Sequence, residues 1–158
     1  MKKALIVSGA LTVAFECIET FVLLDKIQKE ADGKTAFDSK PMNDQKYMQE
    51  FLDALSDEGR ELYRGTYLKM DNLYPLIYTS FFMLLLTQLN EKADWKLIVP
   101  AITLCFDYGE NYCTAKMLET MTVSKGMARF ASTCTNCKML SLTATSALLG
   151  LSWWQNRK

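Results

Sequence analysis

FDYGENY, residues 106–112, sets Asp107, Glu110 and Asn111 inside a run that is otherwise apolar, from LIVPAITLCF (97–106) on to CTAKML (113–118). The placing of two carboxylates and a carboxamide there decides the fold. In water a helix turns such residues outward as a polar stripe. In a bilayer hydrocarbon offers them no partner, so they turn toward the interior of a bundle. The rest of the chain selects between these two arrangements.

Four segments are apolar: about 4–24, 72–90, 97–118 and 138–155. Each comes close to the ~20 residues that cross a bilayer as a helix. A water-soluble four-helix bundle is the competing reading, but SFFMLLL (80–86) and SALLGLSWW (146–154) lack the polar face that water requires. Trp95, Trp153 and Trp154 fall at segment ends, where an aromatic belt sits. The first segment could instead be a secretory signal. No small-x-small cleavage site follows it, however, and Glu16 and Glu19 interrupt its second half. The sequence therefore predicts one all-α domain over residues 1–158, an integral membrane four-helix bundle with an amphipathic helical segment between spans 1 and 2.

Lys2, Lys3, Lys92, Lys96, Arg157 and Lys158 share one side of such a bundle, and the positive-inside rule makes that side, with both termini, cytoplasmic. Residues 25–71 and the loop after 118 are then exoplasmic; Lys125 and Arg129 in that loop run against the rule. Within 25–71, Gly33 and Pro41 mark loop. Met48, Phe51, Leu52 and Leu55 have helical spacing, and Ser56 followed by Asp57 and Glu58 reads as the start of a helix continuing into the second span. Pro75 lies in the first turns of that span, where a kink is tolerated.

The polar residues of the spans fall on faces. Thr103, Asp107, Glu110, Asn111 and Thr114 recur at three- and four-residue steps, as do Arg60, Tyr63 or Arg64, Tyr67, Asp71, Tyr74 and Tyr78. Cys134, Lys138, Ser141 and Thr145 form a third stripe, and Glu16 and Glu19 share the inner side of the first span. At 1.5 Å per residue, Glu16 lies about 18 Å and Glu110 about 20 Å from the cytoplasmic ends, so the stripes meet at similar depth. Glu16, Asp107, Glu110, Tyr74 and Tyr78 are the candidates for acid–base chemistry; Glu19, Arg60, Asp71, Asn111 and Lys138 are the candidates for binding. One reading makes the whole set interhelical glue, with Lys138 and Arg60 neutralising part of the negative charge. Yet five carboxylates face two or three cations, and the surplus implies protonated carboxyls, a bound cation or a charged ligand.

Composition narrows the chemistry. The chain has no histidine, which removes Ser-His and Cys-His catalysis and His-ligated metals. No cofactor and no metal is expected. Eighteen basic residues balance eighteen acidic ones, so nothing draws the chain toward nucleic acid. Five scattered cysteines make no disulfide framework.

GRELYRGTYLKMDNLYPLIY, the P-x6-DYGEN stretch from Pro100, and ASTCTNCK together resemble a family of small four-span membrane proteins with recurring GR..Y, D..YP..Y, P......D..EN and AS..T..K elements. The resemblance covers about residues 55–145. It implies a shared site at Gly59, Arg60, Tyr63, Asp71, Tyr74, Pro75, Tyr78, Pro100, Asp107, Glu110, Asn111, Ser132, Thr135 and Lys138, and no reaction. It departs at Met139, where an aromatic residue is expected after the lysine.

Three functions follow. The first is an intramembrane polar site, open to the exoplasmic side, that binds a cation or an amphipathic small molecule for transport or sensing; its partners are membrane lipids, and a conducting path would need a homo-oligomer. The second is a membrane enzyme using paired carboxylates on a lipid-like substrate. The third is thiol redox at Cys134-Thr-Asn-Cys137, a pair locally similar to that of the vitamin K epoxide reductases.

Overall fold

A computed structural model describes residues 2–40 and 42–157. Met1, Pro41 and Lys158 lie outside, so the loop assigned to Pro41 and the basic flank assigned to Lys158 rest on the sequence. The described residues form helices and no strand. Five helices carry the structure: α1 (Lys2–Lys29), α2 (Gln45–Ala54), α3 (57–90), α4 (Ile98–Thr120) and α5 (Lys125–Gln155).

The helix starts have identifiable caps. Asp44 accepts a hydrogen bond from the Tyr47 backbone amide at 2.8 Å, Ser56 from Gly59 at 3.0 Å and Ser124 from Met127 at 3.2 Å. Glu91 and Met121 take left-handed φ values of 58° and 52°, which end α3 and α4. Two helices run further than the sequence predicts. Residues 25–29 continue α1 because Ile27 is fully buried under α2 and α3. Residues 125–137, expected as loop, open α5, since the Ser124 cap and the buried Ala128, Ala131, Cys134 and Thr135 recur at helical spacing.

Two π-helical turns interrupt the regular winding, Glu19–Leu24 in α1 and Tyr63–Tyr67 in α3, and they pack on each other. Each inserts an extra residue per turn and so shifts the faces on either side.

Successive long helices run antiparallel, which leaves α3 and α5 parallel to each other. The tightest pair is α4 with α5, where Gly109 lies so close to α5 that a Cβ there would stand 2.9 Å from Cys134 Sγ. By contrast α1 packs on α3 and makes no comparable contact with α5. At one end of the bundle Asn156 Nδ2 donates to the Leu89 carbonyl and Lys96 Nζ to Asn90 Oδ1 at 2.6 Å, with Gly9 under Phe81 nearby on α1.

The opposite end is a cap with an ordinary apolar core: Ile27, Phe37, Met48, Phe51, Leu52, Tyr63, Met117 and Leu118 are fully buried together. Phe37 and Phe51 meet edge to face at 5.5 Å, and Phe51 and Tyr63 at 5.9 Å. Gln45 Nε2 donates to the Val123 carbonyl at 2.8 Å, and Gln49 Oε1 accepts from the Val123 amide at 2.9 Å, tying α2 to the α4–α5 turn.

Along the bundle the pattern inverts. Thr103, Asp107, Glu110, Asn111, Thr114, Thr135, Ser141 and Thr145 are buried, whereas Ile6 is 71% exposed, Phe21 73% and Leu140 71%. Among the described residues only α1 is long and apolar enough to cross a membrane by length and composition. In α3, α4 and α5 the inward polar residues lower the average.

Candidate functional site

A cavity of about 540 Å³ opens between α1 and α5, with α3 and α4 behind it. Five carboxyl side chains line it: Glu16, Glu19, Asp38, Asp71 and Asp107. Lys138 is the one basic side chain among the described lining residues. Tyr67, Tyr74, Tyr78 and Phe82 supply an aromatic wall from α3.

Of the residues expected from the sequence, Glu16, Glu19, Asp71, Tyr74, Tyr78, Asp107 and Lys138 come together here. Tyr74 donates its hydroxyl proton to Glu16 Oε2 at 2.7 Å, across from α3 to α1. Tyr78, whose ring meets that of Tyr74 at 5.1 Å, donates to Asp107 Oδ2 on α4. Lys138 Nζ lies 3.3 Å from Asp107 Oδ1 and makes a closer ion pair with Glu110. Thr135, one turn before the lysine, donates to the other oxygen of Glu110. Glu110 and Asn111 form the layer behind the cavity: Asn111 Nδ2 donates at 2.8 Å to the Asp71 backbone carbonyl, fastening α4 to α3. Glu16 and Glu110 are therefore joined through Tyr74, Tyr78, Asp107 and Lys138.

Arg60 stands apart. Its Nε donates to the Leu118 carbonyl at 3.0 Å and its Nη2 to the Glu119 carbonyl at 3.1 Å, so it caps the C-terminal end of α4. The π turn at Tyr63–Tyr67 explains the separation, because the extra residue breaks the stripe between Arg60 and Asp71. With Arg60 engaged elsewhere, the negative surplus is larger than the sequence indicates.

Asp38 is the site residue that sequence patterning does not reveal. It sits in a short 3₁₀ turn, Phe37–Ser39, that dips under the cap because Phe37 is buried in the apolar core, and Asn43 Nδ2 donates to the Phe37 and Lys40 carbonyls behind it. Burial raises the Asp38 carboxyl above its ordinary value, the Tyr63 hydroxyl beside it opposing part of that rise, and burial likewise raises the Tyr63 phenol. Glu19 Oε1 and Asp38 Oδ2 are both buried without a hydrogen-bond partner. Two unpartnered carboxylate oxygens at one cavity are costly unless protonated or met by a ligand.

Among the described residues no group of Asp, Glu or Cys side chains is arranged to hold a metal ion. Cys134 and Cys137 lie well inside α5, away from its first turn, where no helix terminus stabilises a thiolate. Burial pushes the Cys134 thiol up to about 11. All five cysteines are free.

Fold and site together define an all-helical protein whose bundle interior is acidic and polar. The chain matches no protein-family model, no curated protein and no solved structure in the comparisons made.

Proposed function

We propose that this chain is a multi-pass integral membrane protein, crossing the bilayer with α1, the 72–90 part of α3, α4 and the 138–155 part of α5, and that its cavity binds a cation or a cationic small molecule for transport or sensing. The inverted burial supports the membrane setting: polar side chains fill the bundle interior while Ile6, Phe21, Leu140, Trp153 and Trp154 face outward. The exposed Trp95, Trp153 and Trp154 lie at one end, where Lys96 Nζ donates to Ser152 Oγ at 3.3 Å, and the basic flanks would make that end cytoplasmic. Both termini are then cytoplasmic and the cap exoplasmic.

The observation that carries the binding reading is the imbalance of five lining carboxyls against Lys138, with Glu19 and Asp38 each holding an unpartnered oxygen. A cation entering would pair with carboxyl groups that each keep one oxygen without a hydrogen bond, and would lie against tyrosine faces. The test is calorimetric titration of the detergent-purified protein with butylammonium and, in parallel, butyrate. Saturable binding of the amine, lost in Glu19→Gln and absent for butyrate, is expected; equal affinity for both, or none for either, refutes the reading.

A second reading has its own observation. The run Glu16, Tyr74, Tyr78, Asp107, Lys138 places proton-bearing groups in sequence along the cavity wall, with Glu110 paired to the lysine behind it, an arrangement suited to acid–base chemistry on a lipid-like substrate. Mass spectrometry of membrane lipids incubated with the protein and with Asp107→Asn distinguishes it: a product that only the unaltered protein forms would favour the enzyme.

A further inference from the structure

The cavity is not uniform along its length, and the helix directions sort its lining. Helix α1 runs toward the cap, while α3 and α5 run away from it. Asp38 and Asp71 therefore mark the cap end, and Glu19, Asp107 and Lys138 the middle. Thr12, Phe82, Met139 and Leu142 form the far end. On three helices the step from the charged level to the far end is four residues, Glu16 to Thr12, Tyr78 to Phe82 and Lys138 to Leu142, which is about 6 Å. No carboxyl lines that end among the described residues. Its side wall is the seam between α1 and α5, which do not pack closely.

A compact inorganic cation has no use for such an end. We propose that the ligand is a single-chain amphiphile with a protonated amine head, seated with its head at Glu19 and Asp38 and its hydrocarbon tail leaving sideways between α1 and α5 past Phe82, Met139 and Leu142. This inference rests on the cation-binding reading above. The head sits beside the Glu19 and Asp38 carboxyls, each of which keeps one buried oxygen without a hydrogen bond, and the tail meets side chains that have no polar group to lose. Met139 then has a role of its own: a flexible thioether borders the tail where an aromatic ring would narrow the seam.

The test uses dodecylamine carrying a diazirine at about its eighth carbon, which lies level with Thr12 when the head is at Glu19, photolysed with the intact protein in lipid nanodiscs, and dodecanol with the same tail as the uncharged control. The expected result is labelling concentrated on Thr12, Phe82, Met139 and Leu142, reduced at least tenfold by excess butylammonium and at least tenfold weaker for the alcohol. Labelling of the 36–44 segment or an even spread over Ile6, Phe21 and Leu140 overturns the tail placement. Equal labelling by the alcohol overturns the amine head. Leu142→Trp should weaken the tail labelling at least tenfold; unchanged labelling would refute the sideways exit. If butylammonium binds but the tail never labels this end, the amphiphile inference fails and the cation site stands; if butylammonium does not bind, both fail.

Discussion

Replacing Lys138 with methionine isolates the contribution of the ion-pair network. The lysine side chain is 13% exposed, and its partners Asp107 and Glu110 are 4% and 1% exposed. Methionine keeps most of the stem and removes the charge, leaving two buried carboxylates without their cation. Breaking a buried pair from one side costs roughly 3 to 5 kcal/mol. In a chain of this length each kcal/mol moves the melting temperature by about 2–4 °C, so Lys138→Met should lower it by about 6 to 20 °C. Glu110→Gln alone retains the Thr135 contact and should be far milder. The double variant, Lys138→Met with Glu110→Gln, should recover at least about 2 kcal/mol, because the most enclosed orphan charge is gone. Thermal unfolding of the four proteins in one detergent closes the cycle. A Lys138→Met melting point within 2 °C of the parent (by the scale used above, roughly 1 kcal/mol or less), or a double variant no better than the single, would show that the network is not coupled as described.

Further outcomes are accessible with the same preparations. Arg60→Gln should lose about 1 to 2 kcal/mol of stability from its two carbonyl contacts while leaving amine titration unchanged; a weakened titration would return Arg60 to the site. Ser56→Ala should destabilise by about 1 kcal/mol through loss of the helix cap, measured by the same melts. Cys137→Ser should leave both stability and ligand binding unaltered, and loss of all function with an intact fold would promote the redox reading. Asp38 holds its proton more tightly when folded, so its contribution to stability is complete below the ordinary aspartate value of about 3.9 and is lost as pH rises from there through the raised folded value. Asp38→Asn should flatten that part of the stability profile, and an unchanged profile would place the titration elsewhere.

The apolar runs and the Ser56 cap are legible in the sequence because each is set by local periodicity. The convergence of Glu16, Asp71, Tyr74, Tyr78, Asp107 and Lys138 is legible for a related reason: a polar residue in a very apolar helix has few places to face. Arg60 misleads because its spacing from Tyr63 and Tyr67 assumes regular winding, and the π turn removes that regularity without leaving a mark in residue type. Asp38 is hidden because its position depends on Phe37 being drawn into the cap core, a tertiary event between residues far apart in the chain. The helical 125–137 stretch is obscured by its threonines and basic residues, whose outward placement only the packed structure displays.

The cap's construction bears on the order in which the chain can be completed. Its core takes Ile27, Phe37 and Phe51 from the first third of the chain, and closes only with Met117, Leu118, Val123 and Ala128. The bonds that lock α2 in place span 74 and 78 residues. During synthesis the early apolar residues therefore wait, uncovered, while the second and third long helices and the start of the fourth are made. Contacts of such separation are slow to form. A nascent chain arrested before Met117 should present Phe37, Phe51 and Met48 to solvent, and in the cell that interval is when a chaperone or protease on the cap side would have access to it.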